Sequence, residues 1–444
     1  MIFHNRVYYY TEGFKMGENK KCIPFRFTVL IVLQVFLLLP LLVPCQAGEV
    51  QYPIPCYEGA ELENVRQWEK SWAGKKIDAS NIEGVKEFFP ETMYNIVSDP
   101  GRWGEIWFQI IPYQQIMPTD GDIALTKKYA PQCSIGQQED LLNYVSGVPF
   151  PQPKNALEVA YNFDCINQGD NQLAQQDSFL VDGRRKYDRK MILDSNVMWF
   201  SGRRDIAPVP EFEPNRKGIF RAAHSIFSVP ASMRGGRALQ IKWKDRTRDY
   251  GSWFFSPSSR RILRRSMAQR TDSQGGSDMC TDDNLVYDFT TNRLNYKMLG
   301  RKEMLLSRHQ DLALLKEGHI EGLCVPNGIQ YERIKPYVLE CTHKDSGYIY
   351  SKMTWYVDPE TWWILYSDKY DREGNLWKVF NLSEYLCKSY YDPNDVIPTI
   401  GNMLIVDVQR AHSTFGVTGV LIGKETGNYR ADFFTPQALQ QYGY

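Results

Sequence analysis

The sequence predicts an α+β fold in which helices come first and an antiparallel sheet follows. Apolar residues recur at helical spacing from Cys56 to about Gln176, and after Gln176 they alternate with polar residues as in strands. At least seven strand-like runs follow one another with short turns and no amphipathic helix between them. This order excludes a βαβ fold and favours an antiparallel sheet or a partial barrel.

The first 47 residues are predicted to be a targeting segment outside the fold. Basic residues precede an apolar run over residues 27–44, and Ala47 ends a stretch typical of a signal-peptidase site. We expect export with cleavage after Ala47, and Met16 is an alternative start. Two other outcomes stay open. One is an uncleaved anchor, because the run is only slightly shorter than the ~20 residues that span a bilayer; the other is lipidation of Cys45 in a lipobox-like context.

Residues 48–176 are predicted to form a mainly helical N-terminal region. Apolar spacing, and an N-cap-like Ser80 before the second run, indicate four helices. They are expected at residues 60–73, 80–97, 140–145 and 156–166. The proline-rich residues 147–153 are predicted to be an extended connector.

Residues 177–444 are predicted to form the sheet domain, with strand-like runs at 239–244, 250–255, 330–341, 347–380 and 402–412. The run at 347–380 is an aromatic meander of three strands. Pro359 occupies the first of its turns, and Gly374 in the second can take a positive φ. Both faces of the middle strand carry large side chains, so one must be covered and the other wet or filled by a ligand. Trp362 and Trp363 are expected on opposite faces, one in the core and the other at a cavity or solvent.

Charge and cysteine content restrict the classes of function. Lys and Arg together number 52, as do Asp and Glu, so no overall field draws the chain to nucleic acid or to an anionic membrane. Seven cysteines follow Ala47 without C-x-x-C spacing, which in an oxidising compartment predicts disulfides and one odd thiol. Cys324 and Cys341 flank a strand-rich segment and are the first candidate pair.

Motifs of the common enzyme classes are absent from the sequence, which has no H-E-x-x-H, G-x-S-x-G, P-loop or G-x-G-x-x-G. His309 beside Asp311, and the acidic loop from Asp272 to Asp283, are the remaining candidates for catalysis or metal binding. A structural histidine and a solvated loop are favoured over chemistry. We therefore predict that the protein is not an enzyme and has no cofactor and no metal site.

Arginines cluster between Arg260 and Arg265, on a turn and the strand that leaves it. Guanidinium groups suit phosphate or carboxylate, so a lipid headgroup or an acidic partner would fit. Salt bridges to cross-strand acids are the favoured interpretation. Few aromatics lie within the cluster, which argues against a nucleic-acid partner.

Several segments of the chain resemble an uncharacterised Gram-negative family of exported proteins described as outer-membrane lipoprotein-sorting-like. The segments are W-F-F-S-P at 253–257, R-R-I-L-R-R at 260–265, G-R-K-E at 300–303, Y-V-D-P-E-T-W at 356–362 and G-V-P-F-P at 147–151. That family is similar to the LolA and LolB lipoprotein carriers, although this chain is much longer. The resemblance implies an unclosed antiparallel half-barrel, lidded by helices, whose concave apolar face receives acyl chains.

The function implied is that of a non-catalytic periplasmic binding or carrier protein. Its partner would be a lipid, a lipoprotein acyl chain or another hydrophobic ligand. The side chains expected to contact the ligand are Trp253, Phe255, Trp355, Trp362, Trp363, Tyr366, Arg261 and Arg264. The alternative is an envelope interaction module whose arginine-rich strand docks a membrane transporter or an outer-membrane protein.

Overall fold

Nineteen strands and seven α-helices form in the computed structural model, which describes residues 50–266, 268–423 and 430–441. The strands are β1 (Lys76–Asp78), β2 (Trp107–Ile110), β3 (Ser134–Ile135), β4 (Leu141–Leu142), β5 (Asn171–Val181), β6 (Tyr187–Trp199), β7 (Ile219–Val229), β8 (Arg237–Trp243), β9 (Gly251–Ser256), β10 (Arg261–Arg264), β11 (Leu294–Arg301), β12 (Met304–Leu306), β13 (Ile329–Ile334), β14 (Tyr337–His343), β15 (Lys352–Val357), β16 (Ile364–Tyr370), β17 (Leu376–Lys388), β18 (Val396–Asp407) and β19 (His412–Ile422). The helices are α1 (Gly59–Trp72), α2 (Glu91–Val97), α3 (Pro100–Trp103), α4 (Asp120–Tyr129), α5 (Ala156–Asp164), α6 (Leu312–Glu317) and α7 (Ala438–Gln441).

The main sheet has thirteen strands in the order β10-β9-β8-β7-β6-β5-β19-β18-β17-β16-β15-β14-β11, all antiparallel. Within the described residues, β10 and β11 each pair on one side only, so the sheet is unclosed. An open sheet of this many strands curls, because every strand adds its twist to the next. The predicted α+β class with a curved, unclosed antiparallel sheet is confirmed. The division of the chain near residue 176 stays a prediction.

The aromatic meander predicted at 347–380 is confirmed as β15, β16 and β17. Its middle strand begins at Ile364, later than the sequence pattern indicates. Trp362 lies in the preceding turn with φ +65°, and its backbone N–H donates to Asp358 O at 2.9 Å. Trp362 and Trp363 are both buried, and a left-handed turn residue rather than strand alternation separates their side chains.

A smaller sheet joins the N-terminal region to residues 304–334, with the order β1-β2-β13-β12. Its β2 and β13 are parallel, although more than two hundred residues separate them along the chain. The run predicted as one strand at 330–341 divides at Pro336 into β13 and β14, which lie in different sheets. Proline has no N–H for a ladder, so the chain leaves one sheet there and enters the other.

The predicted helices of the N-terminal region are correct at α1 and α5 and differ elsewhere. The run expected at 80–97 divides at Pro90 into a 3-10 helix (Ile82–Phe88) and α2, because the residue before a proline disfavours helical backbone. The helix expected at 140–145 is wrong. Residues there form the short hairpin β3–β4, and Asn143 has φ +59°. The sequence analysis also missed α4.

The main sheet is covered on both faces. A row of side chains in register, namely Trp355, Ser367, Phe380, Ile405 and Thr414, marks what we call the inner face. The inner face is covered by α5 and by residues 268–293, which we call the lid segment. The outer face meets α2 of the N-terminal region and, over β7 to β9, the C-terminal residues 430–441.

Arg308 is fully buried among four carboxylates. Its guanidinium lies 2.6 Å from Glu360 and 3.1 Å from Asp358. Glu332 and Glu384 are each 3.9 Å away, and none of these side chains is more than 1 % exposed. The cluster therefore joins β13, β17 and the turn between β15 and β16.

Glu360 extends this cluster into the N-terminal region. It accepts hydrogen bonds from the Cys56 and Ile116 backbone N–H groups, at 2.7 and 2.9 Å, and from the Tyr113 hydroxyl at 2.5 Å. Glu384, by contrast, has two buried oxygens without a hydrogen-bond partner among the described residues. Burial and the neighbouring Asp358 raise the pKa of Glu384 well above its usual range, and burial raises the pKa of Asp358 to about 6. Glu384 thus favours its protonated form, and Glu360 carries the anchoring charge.

No helix of the described residues has the length and apolarity needed to cross a bilayer. The predicted targeting segment, with Met16 and Cys45, lies outside those residues.

Arg308→Met is expected to lower the free energy of unfolding by about 3–5 kcal/mol, because it leaves buried carboxylates without their cation. Glu360→Gln should also destabilise, since four donors converge on that carboxylate. Glu384→Gln should change stability by less than about 1 kcal/mol, because an amide resembles the protonated acid. Urea unfolding at neutral pH measures all three, and equal losses for the two glutamate variants would contradict this assignment of charge.

Candidate functional site

A cavity of about 290 Å³ lies between the inner face of the main sheet and the lid segment. Its floor comes from β5 to β9 and from β18 and β19, and its roof comes from residues 274–288. The other half of the inner face has no such space, because Tyr287 and Phe163 pack there against Trp355. The lid segment thus packs directly against one half of the inner face, whereas a cavity separates it from the other half.

Strand alternation decides which side chains form the floor of the cavity. Along β5, β6 and β7 every second residue points into it. These residues are Gln172, Ala174, Gln176 and Ser178 on β5; Met191, Leu193, Ser195 and Val197 on β6; and Arg221, Ala223, Ser225 and Phe227 on β7. Short polar and flexible apolar side chains therefore share the surface, which leaves space that bulky residues would fill.

The cavity wall is amphiphilic. Glutamine, serine and threonine side chains supply amide and hydroxyl groups from both the sheet and the lid segment. Four methionines supply much of the apolar wall: Met191, Met233, Met279 and Met403. Methionine is flexible and polarizable, so such a wall adapts to ligands of different shape.

Asp278 and Asp283 attach the lid segment to the inner face. Lys369 Nζ donates to Asp283 Oδ1 at 2.6 Å, and both side chains are buried. His412 Nδ1 donates to Asp278 at 2.8 Å, and the Thr414 hydroxyl donates to the same carboxylate at 2.7 Å. The sequence predicts a solvated loop from Asp272 to Asp283, but only Asp272, Ser273 and Gly276 are exposed there. Asp278 and Asp283 of this loop are buried because they pair with histidine and lysine side chains on the inner face.

Trp363 is the one member of the predicted ligand-binding set that lines this cavity within the described residues. Its indole N–H donates to Pro398 O at 3.2 Å, which fixes the ring at the cavity wall. Trp355 lies on the inner face but under α5 and the lid segment. Trp362 stacks on Tyr337 at 5.9 Å, and Tyr366 contacts Tyr356 on the outer face.

Trp253 and Phe255 lie on the outer face of β9, where they pack towards Phe433 and Phe434. Their neighbour Phe254 points into the cavity instead. Both Trp253 and Phe255, which the sequence predicts to contact a ligand, lie under the cover supplied by the C-terminal residues 430–441.

Arg261 and Arg264 are exposed on β10, an edge strand of the main sheet. The expected salt bridges to cross-strand acids do not form there among the described residues, because β10 pairs with Trp253, Phe254, Phe255 and Ser256. Arg264 lies 5.9 Å from the Trp253 ring. Docking of a transporter or an outer-membrane protein on this strand stays a prediction.

The other candidates for chemistry have structural contacts. His309 hydrogen-bonds Glu332 beside the Arg308 cluster. Within the described ranges no group of three or more His, Cys, Asp or Glu side chains is arranged to hold a metal ion. The seven described cysteines are free thiols, so the predicted pairing of Cys324 with Cys341 is wrong. Cys324 contacts Ala411 O, whereas Cys341 lies on the inner face of β14 opposite Met353, so different layers of the protein hold the two thiols.

Sequence reasoning missed that the acidic loop covers the sheet and missed Arg221 of the cavity wall, and it placed Arg265 in the arginine cluster but not among the ligand-binding side chains. A signal for the lid was present in Lys369 and Lys378, which are charged residues within strands that are otherwise aromatic. Buried lysines need acidic partners, and the acidic loop at 272–283 could have supplied them. For Arg221 the sequence carries no comparable signal.

A family model described as protein of unknown function (DUF1329) matches residues 76–440. An uncharacterized protein of Pseudomonas aeruginosa is 25% identical over 325 residues, which cover 68% of this chain and 67% of that protein.

Three solved structures are similar to 64% of this chain. A putative outer membrane lipoprotein-sorting protein domain from Vibrio parahaemolyticus is 16% identical, with a TM-score of 0.45 over 98% of its length. A DUF1329 family protein from Desulfovibrio piger is 17% identical, with a TM-score of 0.46 over 97% of its length. A LolA superfamily protein from Nitrosomonas europaea is 14% identical, with a TM-score of 0.39 over 98% of its length.

The contact between His412 and Asp278 is expected to make attachment of the lid segment depend on pH. The Asp278 carboxylate raises the pKa of His412 above 6.5 in the folded protein. The contribution of this pair is therefore complete below pH 6.5 and is lost as the pH rises through the higher folded pKa. Hydrogen exchange of the amides at 273–281, corrected for intrinsic rates, should show protection that falls over this range.

His412→Gln should flatten that pH dependence, whereas His343→Gln should leave it unchanged, because His343 stacks on Tyr348 and has no contact with Asp278. Retention of the full pH dependence in His412→Gln would show that another group controls the lid.

Proposed function

This chain belongs to the DUF1329 family. From the geometry of its cavity we propose that it is a non-catalytic binding protein for a hydrophobic or amphiphilic molecule. The membership confirms the family resemblance drawn from the sequence. The observation that carries the proposal is the cavity between the inner face and the lid segment.

The size and lining of the cavity support this role. Its volume of about 290 Å³ exceeds the roughly 150 Å³ of cavities that bind a benzene-sized molecule. At about 25 cal/mol per Å², a chain that buries about 300 Å² of apolar surface gains about 7 kcal/mol before the cost of association. Part of a lipid or of a lipoprotein acyl chain is therefore a ligand of suitable size.

The lid segment gives the site a means of uptake and release. Asp278 and Asp283 hold it to the inner face through hydrogen bonds and ion pairs. Gly275 and Gly276 have φ +59° and +81°, a conformation that glycine adopts without strain. A roof held by a few polar contacts can open without disturbing the antiparallel ladder below it.

We place this activity in the periplasm, as the predicted targeting segment implies. The protein would take up its ligand at one membrane or partner and release it at another, with burial of apolar surface as the driving force. Catalysis forms no part of the proposal.

Ala223→Phe is expected to abolish ligand binding, because the benzyl group would occupy the cavity beside Ser225 and Gln240. Native mass spectrometry of the protein purified from the cell envelope should show co-purified lipid on the wild-type chain and little on this variant. Ala231→Phe is the matched control, since Ala231 is exposed and lies outside the cavity wall. Ligand-free spectra of the wild-type chain, with no uptake of added lipids, would contradict the proposal.

A further inference from the structure

Two guanidinium groups line the cavity, and their surroundings differ. Arg221 lies 2.7 Å from Asp288, so its charge is neutralised within the wall. Arg265 has no carboxylate oxygen within 4 Å in the described part of the chain. The cavity wall thus holds one positive charge in excess.

The position of Arg265 is set by contacts on several sides. Its backbone N–H donates to Ser252 O at 3.0 Å, which holds it beside β9 directly after β10 ends. Its guanidinium lies 5.5 Å from the Phe254 ring, and Nη1 donates to the Thr281 hydroxyl at 3.0 Å. Phe254, Ser252 and Thr281 all line the cavity, so the head of Arg265 faces it from the rim of the roof.

Neighbouring charges do not supply the missing partner. Asp282 is already paired at 2.6 Å with Arg270, a second basic residue whose charge acts on Arg265. Asp272 acts on Arg265 from a distance, and its side chain is exposed. Burial and the charge of Arg270 lower the pKa of Arg265, although an arginine stays protonated in proteins.

Partial burial of a cation without a counter-charge costs folding free energy. A bound ligand that supplies the counter-charge would offset this cost. Guanidinium offers five N–H donors, and one of them is engaged by Thr281. The remaining donors can hold a planar carboxylate or a phosphate in two parallel hydrogen bonds.

The rest of the wall fits a molecule with both an apolar and a polar part. Met191 and Met233 line the cavity beside Gly275 of the lid segment, and Met403 and Ile400 line it from β18. Gln240 Nε2, on the floor, is buried without a hydrogen-bond partner among the described residues. A wholly apolar guest would leave both Gln240 and Arg265 unsatisfied.

We propose that Arg265 binds the anionic group of an amphiphile whose apolar chain occupies the cavity. This inference rests on the proposed function and narrows its ligand class from hydrophobic molecules in general to anionic amphiphiles. A carboxylate and a phosphate monoester share the chemistry that Arg265 recognises. The chain enters below the lid segment, and the charged group stays at the rim.

The test measures the affinity of delipidated protein for three ligands by displacement of a fluorescent probe. The ligands share a twelve-carbon chain and are dodecanoate, dodecyl phosphate and 1-dodecanol. Arg265→Gln is expected to weaken binding of the two anionic ligands by about 10- to 100-fold, which corresponds to loss of a charged hydrogen bond, and to leave dodecanol within about twofold. Arg265→Lys should recover part of the lost affinity, because lysine keeps the positive charge but lacks the paired N–H donors of the planar guanidinium. The stronger of the two anionic ligands identifies the source of the charge.

Arg260→Gln is the control, since Arg260 is exposed on the turn before β10 and lies outside the cavity wall. An equal loss for all three ligands in Arg265→Gln would assign that residue a structural role and overturn the inference. Wild-type protein that binds dodecanol as tightly as the anions would overturn it too and leave the proposed function standing. Wild-type protein that binds none of the three would count against both.

Discussion

The buried ionic cluster around Arg308 is the constraint on which the arrangement of the whole protein depends. A guanidinium that is inaccessible to water must be surrounded by acids, and here those acids come from β13, from β17 and from the turn between β15 and β16. Glu360 also accepts hydrogen bonds from the N-terminal region. Because a buried charge without its partners costs several kcal/mol, these segments come together as a unit. The cluster thus attaches Cys56, Tyr113 and Ile116 of the N-terminal region to the turn between β15 and β16.

The inner face also holds a buried cation that is paired with an acid from a distant segment. Lys369 is buried on a strand of the sheet, and Asp283 of the lid segment neutralises it. The lid segment is pulled tightly onto the β14–β17 half of the sheet, where Tyr287 and Trp355 also pack together. Over β5 to β9 the lid segment contacts the sheet through Arg189, which donates to Gly275 O at 2.7 Å, and through the ion pair of Arg221 with Asp288. Many side chains between these contacts are small or flexible, so the cavity lies where the sheet below the lid segment leaves space.

The composition of the cavity wall distinguishes it from an ordinary core. A core of this size would contain mainly branched apolar side chains at native packing density, whereas this wall combines leucine, valine and isoleucine with serine, glutamine and methionine. Such residues leave space and offer hydrogen bonds, at the cost of stability that a packed core would supply. A site of this kind selects its ligand by an apolar chain together with a few polar contacts, rather than by catalytic groups.

The sequence by itself determined the α+β class, the antiparallel pairing and the meander of β15, β16 and β17. Those features arise from alternation, turn residues and aromatic content, all of which are local. Only the tertiary structure decided which face of each strand meets the cavity, because alternation separates two faces without saying what covers either. Trp253 and Phe255 were expected in the site, yet Phe433 and Phe434, from far along the chain, cover them and leave Phe254 inside. Likewise Asp283 and Lys369 look like surface residues until the fold brings them within 2.6 Å of each other. Contacts between distant segments carry little local pattern, which is why only the structure showed that the acidic loop covers the inner face and that Arg265 lines the cavity.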